Sequence, residues 1–120
     1  MMKRGAILEK SMAFAIRVVN LYKYLRDEKR EYVLSKQLLR SGTSIGANVR
    51  EAHYGQSRSD FTAKMSIALK EASGTAYWLE LLAKTEYLTT EQYESMKTDC
   101  SEVAKLLTTI VKNSKTTVHC

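Results

Sequence analysis

Apolar side chains return every three or four residues in four separate stretches of this chain, and no proline interrupts any of them. That spacing is the repeat of an α-helix with one buried side. Proline would remove a helix hydrogen bond and clash with the preceding turn, so its absence permits long helices. Period-two alternation, the mark of a half-buried strand, is missing. The pattern predicts an all-α fold with helices over about 7–25, 33–55, 59–86 and 90–112. The 120 residues suit one domain with one core. Short links and seams near a 3.5-residue repeat predict an antiparallel up-down-up-down four-helix bundle.

The stretch 33–58, VLSKQLLRSGTSIGANVREAHYGQSR, organises the rest. On a helix, Leu34, Leu38, Ser41, Ile45, Val49 and Ala52 form a narrow apolar seam. Ser35, Gly42, Gly46 and His53 fall on one flank. Each glycine costs about 1 kcal/mol against alanine inside a helix, so the pair predicts a neighbouring helix at close range. The GxxxG spacing carries no membrane meaning in so polar a helix, and without a following Lys-Ser/Thr it is no phosphate loop. Opposite the seam lie Lys36, Arg40, Arg50, Tyr54 and Arg58, with Thr43 and Ala47 between them and no carboxylate.

The first helix carries two adjacent apolar lines. One is Leu8, Met12, Ala15, Val19 and Tyr22; the other is Phe14, Val18, Leu21 and Leu25. Together they are broader than one core requires, so part of this face is expected to meet another subunit. Lys3, Lys10, Arg17 and Tyr24 recur on a third line. RDEKRE at 26–31 reads as a solvated connector. Ser57 with Asp60 reads as the cap of the third helix. Its seam is Phe61, Met65, Ala68, Ala72, Thr75, Leu79 and Leu82, with small residues at mid-length to receive a neighbour's larger side chains. Tyr77 or Trp78 is expected to anchor the bundle's end. Thr89 and Gln92 form a capping box, with Leu88 and Tyr93 as its hydrophobic staple. Tyr93, Met96, Cys100, Val103, Leu107 and Ile110 follow on the same rhythm, and 113–120 is expected to be loose.

The net charge of +6 is uneven. Residues 1–58 hold 12 Lys and Arg against 5 Asp and Glu, a net +7, whereas 59–86 carry −1 and 87–120 are neutral. A charge so concentrated points to a directed positive face. The residues that would form it are Lys10, Arg17, Lys23, Lys36, Arg40, Arg50, Tyr54 and Arg58. Cations neutralise phosphates without reading sequence, and Tyr24 and Tyr54 can stack on unpaired bases. A structural reading competes: Arg40, Arg50, Glu51, Glu71 and Glu80 can pair across the second and third helices. Glu71, inside an otherwise apolar stretch, is assigned to that structural role; Arg40 and Arg50 stay open between the two.

Catalytic and metal signatures are missing. His53 and His119 are the two histidines, and no Glu-x-x-His, CxxC, HExxH or nucleotide fingerprint occurs. No enzyme activity, metal or cofactor is expected. Cys100 falls on the apolar seam and reads as a small buried hydrophobe, whereas Cys120 lies at the end of the sequence. Glu9 and Lys10 interrupt the apolar run near the start, arguing against a secretory signal. The longest uncharged run, 41–49, is too short to cross a bilayer. A cytoplasmic protein with no membrane association is expected.

The blocks LSKQLLRSGTSIGANVREA (34–52), DFTAKMSIALKEAS (60–73) and YWLELL (77–82) closely resemble the bacterial four helix bundle protein family. Its first members were found in intervening sequences within genes for large-subunit ribosomal RNA. The likeness runs from about Leu8 to Lys112. It implies an antiparallel four-helix bundle assembling as a ring-like homopentamer. It also implies a distant similarity to the accessory protein of diversity-generating retroelements, a basic pentameric bundle that works with a reverse transcriptase and nucleic acid. The resemblance thus implies self-association, and RNA, DNA or a nucleic-acid-processing protein as partners. Fold transfers along such a likeness better than function does. The chain departs from the family at Gly74 and Ala76, where many members carry acidic residues. Two functions follow as expectations. The first is a non-enzymatic basic oligomer that binds nucleic acid by charge and shape. The alternative is an interaction scaffold whose positive face docks an acidic protein.

Overall fold

Glu31 sets the start of the second helix. Its carboxylate accepts hydrogen bonds from the backbone N–H groups of Val33 (3.1 Å), Leu34 (2.9 Å) and Ser35 (2.6 Å), and the Ser35 hydroxyl donates to the Glu31 carbonyl at 2.8 Å. Val33 occupies the N-cap position but has no side-chain oxygen to offer. A carboxylate at this end satisfies orphan donors and faces the positive pole of the helix dipole. Glu31 is buried. Burial alone would raise its pKa, but the backbone donors outweigh it and hold the group below a glutamate's ordinary value. The solvated connector expected at 26–31 is therefore corrected at its last residue.

The computed structural model describes residues 2–118, with side chains over 5–115. Four helices follow in order: α1 (Met2–Asp27), α2 (Leu34–His53), α3 (Arg58–Lys84) and α4 (Thr90–Val118). No strand occurs among the described residues. α1 begins at Met2, about a turn and a half before the expected Ile7, which is itself fully buried. α4 continues past the expected end at 112, since Val111 and Ser114 extend its buried line. The loose tail expected over 113–120 is thus helical to Val118, and Cys120 lies outside the described residues.

Three caps match the local chemistry. The Ser57 hydroxyl accepts from Asp60 N at 3.0 Å. The Thr89 and Gln92 side chains accept from each other's backbone N–H groups at 3.1 and 2.9 Å. α3 ends with Tyr87 N bonded to the Leu82 carbonyl and Glu86 N to that of Ala83, with Glu86 at φ 71°. These are the two bonds of a Schellman ending.

Short connections between helices of such length force alternating directions, giving a rod of 50 × 21 × 21 Å. α1 packs on α2, α2 on α3, α3 on α4, and α4 back on α1; the backbones of neither diagonal pair come close among the described residues. This is an up-down-up-down bundle. The α1–α4 seam is the sparsest of the four.

The core takes Ile7, Phe14, Val18 and Leu25 from α1, and Leu38, Ile45 and Val49 from α2. α3 adds Met65, Leu79 and Leu82, and α4 adds Val103 and Leu107. One expected α1 line is core at Phe14, Val18 and Leu25, with Leu21 partly buried against it, and is extended by Ile7 and Ser11. The other is not: Leu8, Ala15, Val19 and Tyr22 are half-buried and Met12 is exposed, because α1 has neighbours on two sides only. A Cβ on Gly42 would meet Val18 Cγ1 at 2.7 Å, so the close approach expected beside the glycines is made by α1. Small residues at mid-α3 leave room for polar pairs. Thr75 Oγ1 donates to Ser41 Oγ at 2.9 Å, and the Cys100 thiol donates to the Ala72 carbonyl at 3.5 Å. Burial pushes that thiol up to about 11, so Cys100 is an inert core residue. Trp78 rather than Tyr77 packs on the core; Tyr77 meets it edge to face at 5.0 Å.

Candidate nucleic-acid interface

The cations of the first half divide by what faces them. α4 brings carboxylates against α1. Lys10 Nζ lies 3.2 Å from Glu102 Oε1. Arg17 Nη1 lies 2.7 Å from Asp99 Oδ2 and donates to the Ser95 carbonyl, while Nη2 donates to Ser95 Oγ at 2.9 Å. Three partners on one element make Arg17 a clamp across the loosest seam of the bundle. Between α2 and α3, Arg40 Nη1 reaches Glu71 Oε2 at 3.6 Å, and Lys64 Nζ reaches Glu51 Oε1 at 2.9 Å. Arg40 is thereby paired, at long range and with its head group in water. Glu80 pairs within α3, with Lys84.

Lys23, Lys36, Arg50 and Arg58 have no carboxylate within ion-pair distance among the described residues. All four are exposed. Lys23 stands near enough to Asp27 to help lower that carboxyl, behind the larger effect of the Arg26 hydrogen bonds. Tyr54, at the C-cap of α2, is 83% exposed. Tyr24 is instead half-buried against the core, which removes it as a stacking platform.

The basic stripe expected along α2 is broken. Arg58 belongs to α3, as its first residue, because α2 stops at His53. With Arg40 drawn to Glu71, the outer face of α2 presents Thr43 and Ala47 between Lys36 and Arg50. Those two cations are 14 residues apart, about 21 Å of helix. The unpaired set therefore occupies two ends of the rod: Lys23 and Lys36 near the α1–α2 turn, Arg50, Tyr54 and Arg58 near the α2–α3 turn.

An apolar groove runs from the middle of α2 up to Arg50. Leu8, Ser11, Met12, Ala15, Gly46, Ala47 and Arg50 are among the lining of a hollow of about 300 Å³ between α1 and α2. Met12 is 46% exposed and Ile16, one turn on, 54%. On the other flank of α1, Lys10, Glu102, Leu106 and Ile110 are among those lining a second groove against α4. The first groove takes Leu8, Met12 and Ala15 from the α1 line expected to meet another subunit. Glu31 was the group that pattern reading missed; a glutamate four residues before Ser35, ahead of a helix with no capping residue of its own, was the available signal.

At the α2–α3 turn, His53 Nδ1 lies 3.0 Å from the Val49 carbonyl, so that nitrogen carries the proton. Its Nε2 is buried with no partner, and the ring meets Phe61 at 6.2 Å. No group of three or more His, Cys, Asp or Glu able to hold a metal occurs among the described residues. No described helix is long and apolar enough to cross a membrane.

No curated protein matches the chain. A crystal structure of a protein of unknown function from the S23 ribosomal protein family of Bacteroides thetaiotaomicron is 60% identical and covers 92% of this chain and 98% of its own, with a TM-score of 0.91. The family model described as 23S rRNA-intervening sequence protein matches residues 3–109. Nearly the whole bundle lies inside that match, and the chain belongs to the 23S rRNA-intervening sequence protein family.

Proposed function

We propose that this protein is a non-enzymatic, cytoplasmic helical bundle that assembles with itself and binds the backbone of RNA or DNA by charge and shape. One observation carries the reading: Lys23, Lys36, Arg50 and Arg58 stand exposed at the two ends of the rod, without carboxylate partners among the described residues. Unneutralised cations release counterions from a polyanion on binding, which is the main source of affinity in sequence-independent recognition. The family's description, tied to sequences that interrupt 23S rRNA, agrees with an RNA partner.

Self-assembly is supported by the two apolar grooves on opposite flanks of α1. One is rimmed by Arg50, the other by Lys10, Glu102 and Lys105. Different patches on one subunit make head-to-tail contacts, and such contacts form a ring where the rotation between subunits closes. A homopentamer is the ring this reading adopts. Repetition of the basic ends around it would multiply weak phosphate contacts into useful affinity.

Light scattering gives the mass, and filter binding with structured RNA and duplex DNA at two salt concentrations gives the affinity. Binding that weakens steeply with salt supports the proposal. An intact oligomer that retains neither nucleic acid at low salt would end it, and would leave the acidic-protein scaffold as the better account of the same cations.

A further inference from the structure

The turn at 54–57 gathers features that backbone neutralisation does not use. Tyr54 N bonds to the Glu51 carbonyl at 3.1 Å and Gly55 N to that of Ala52 at 3.2 Å, so the exposed ring projects from an ordered turn. Arg50 lies four residues before it and Arg58 four after, both exposed and unpaired. The same turn holds a mainly polar cleft of about 320 Å³ whose walls include His53, Gln56 and Arg58. The ring of His53 packs inward against Phe61, which leaves Gln56 and Arg58 among the polar side chains at the mouth of the turn. Glu51 is held by Lys64, which leaves Asp60 on the first turn of α3 to offset two arginines.

We infer that this turn is a site for unpaired nucleotides, in which a base stacks on Tyr54 while Arg50 and Arg58 neutralise the flanking phosphates and the cleft receives a base edge. A duplex hides its base faces within its own stack, so only single-stranded, looped or bulged segments can present one to an aromatic ring. Gln56 supplies an amide donor and acceptor. The inference rests on the nucleic-acid reading above and narrows it to a class of ligand.

The test uses the full chain and fluorescence anisotropy at low salt, with an unstructured oligouridylate and a blunt RNA duplex of equal length. Tyr54→Ala is expected to weaken the single strand by about 5- to 100-fold and the duplex by less than about twofold. Tyr54→Trp retains single-strand binding, and its emission is quenched when the strand binds. Tyr32→Ala, an exposed tyrosine at the opposite end of the rod, is expected to change neither. Because Tyr54 is so exposed, thermal melts of the variants should match the parent. Equal losses on both ligands, or none on the single strand, overturn the stacking site while duplex binding leaves the backbone reading standing. Failure of the unmodified protein to bind either ligand overturns both.

Discussion

Gly42 shows how much one missing side chain decides. Val18 is β-branched and stiff at χ1, so it cannot yield to a Cβ 2.7 Å away. Gly42→Ala should cost about 1–3 kcal/mol in urea unfolding, with part recovered when Val18→Ala is added. Gly74 is the contrasting case: a Cβ there meets nothing within 4 Å. Gly74→Ala should raise stability by about 0.5–1 kcal/mol through helix propensity alone. Glu31 makes a pH prediction. Its pKa is lowered in the fold, so its contribution is present above the unfolded value and fades as pH falls through the folded one. Glu31→Ala should cost about 1–2 kcal/mol at neutral pH. The stability gap between parent and Glu31→Gln should close below about pH 4. A gap that persists in acid would remove the carboxylate's charge from the explanation.

The helices were legible because their signal is local. Caps, seams and glycine flank are all set by neighbours within one or two turns, so Ser57, Thr89 and Gln92 could be placed before any tertiary contact was known. The α1–α4 seam was not, because its partners are 82 and 92 residues apart. Both of its ion pairs are about half exposed. Exposed pairs of this kind contribute roughly 0–1 kcal/mol. Lys10→Ala should therefore leave the melting curve nearly unchanged. Arg17→Ala, which also releases Ser95, should have the larger effect of the two. Amide exchange should find α1 opening before α2 and α3, since α1 has the sparsest contact with α4. Uniform protection across all four helices would contradict that order.

At the scale of the whole molecule, the positive half of the sequence becomes two basic ends, with an apolar groove running up to Arg50 at one of them. That distribution separates two variants. Lys36→Glu should weaken nucleic-acid binding and flatten its salt dependence without changing the mass measured by light scattering. Met12→Asp, in the α1–α2 groove, should shift the mass toward the monomer and weaken binding only through the loss of repeated sites. If Met12→Asp leaves the mass unchanged, the groove is not the contact between subunits.

Helical period, capping chemistry and the tally of charges belong to the sequence, because each depends on residues within a few positions of one another. They were enough to specify four rods and the flank on which two of them touch. Which cations remained free was decided only when the rods were set side by side: the rotation of α4 carried Asp99 and Glu102 to Arg17 and Lys10, and α3 carried Glu71 to Arg40. Lys36, Arg50 and Arg58 were left facing water. An ion pair between helices depends on register and rotation across the whole bundle, and no local pattern encodes either.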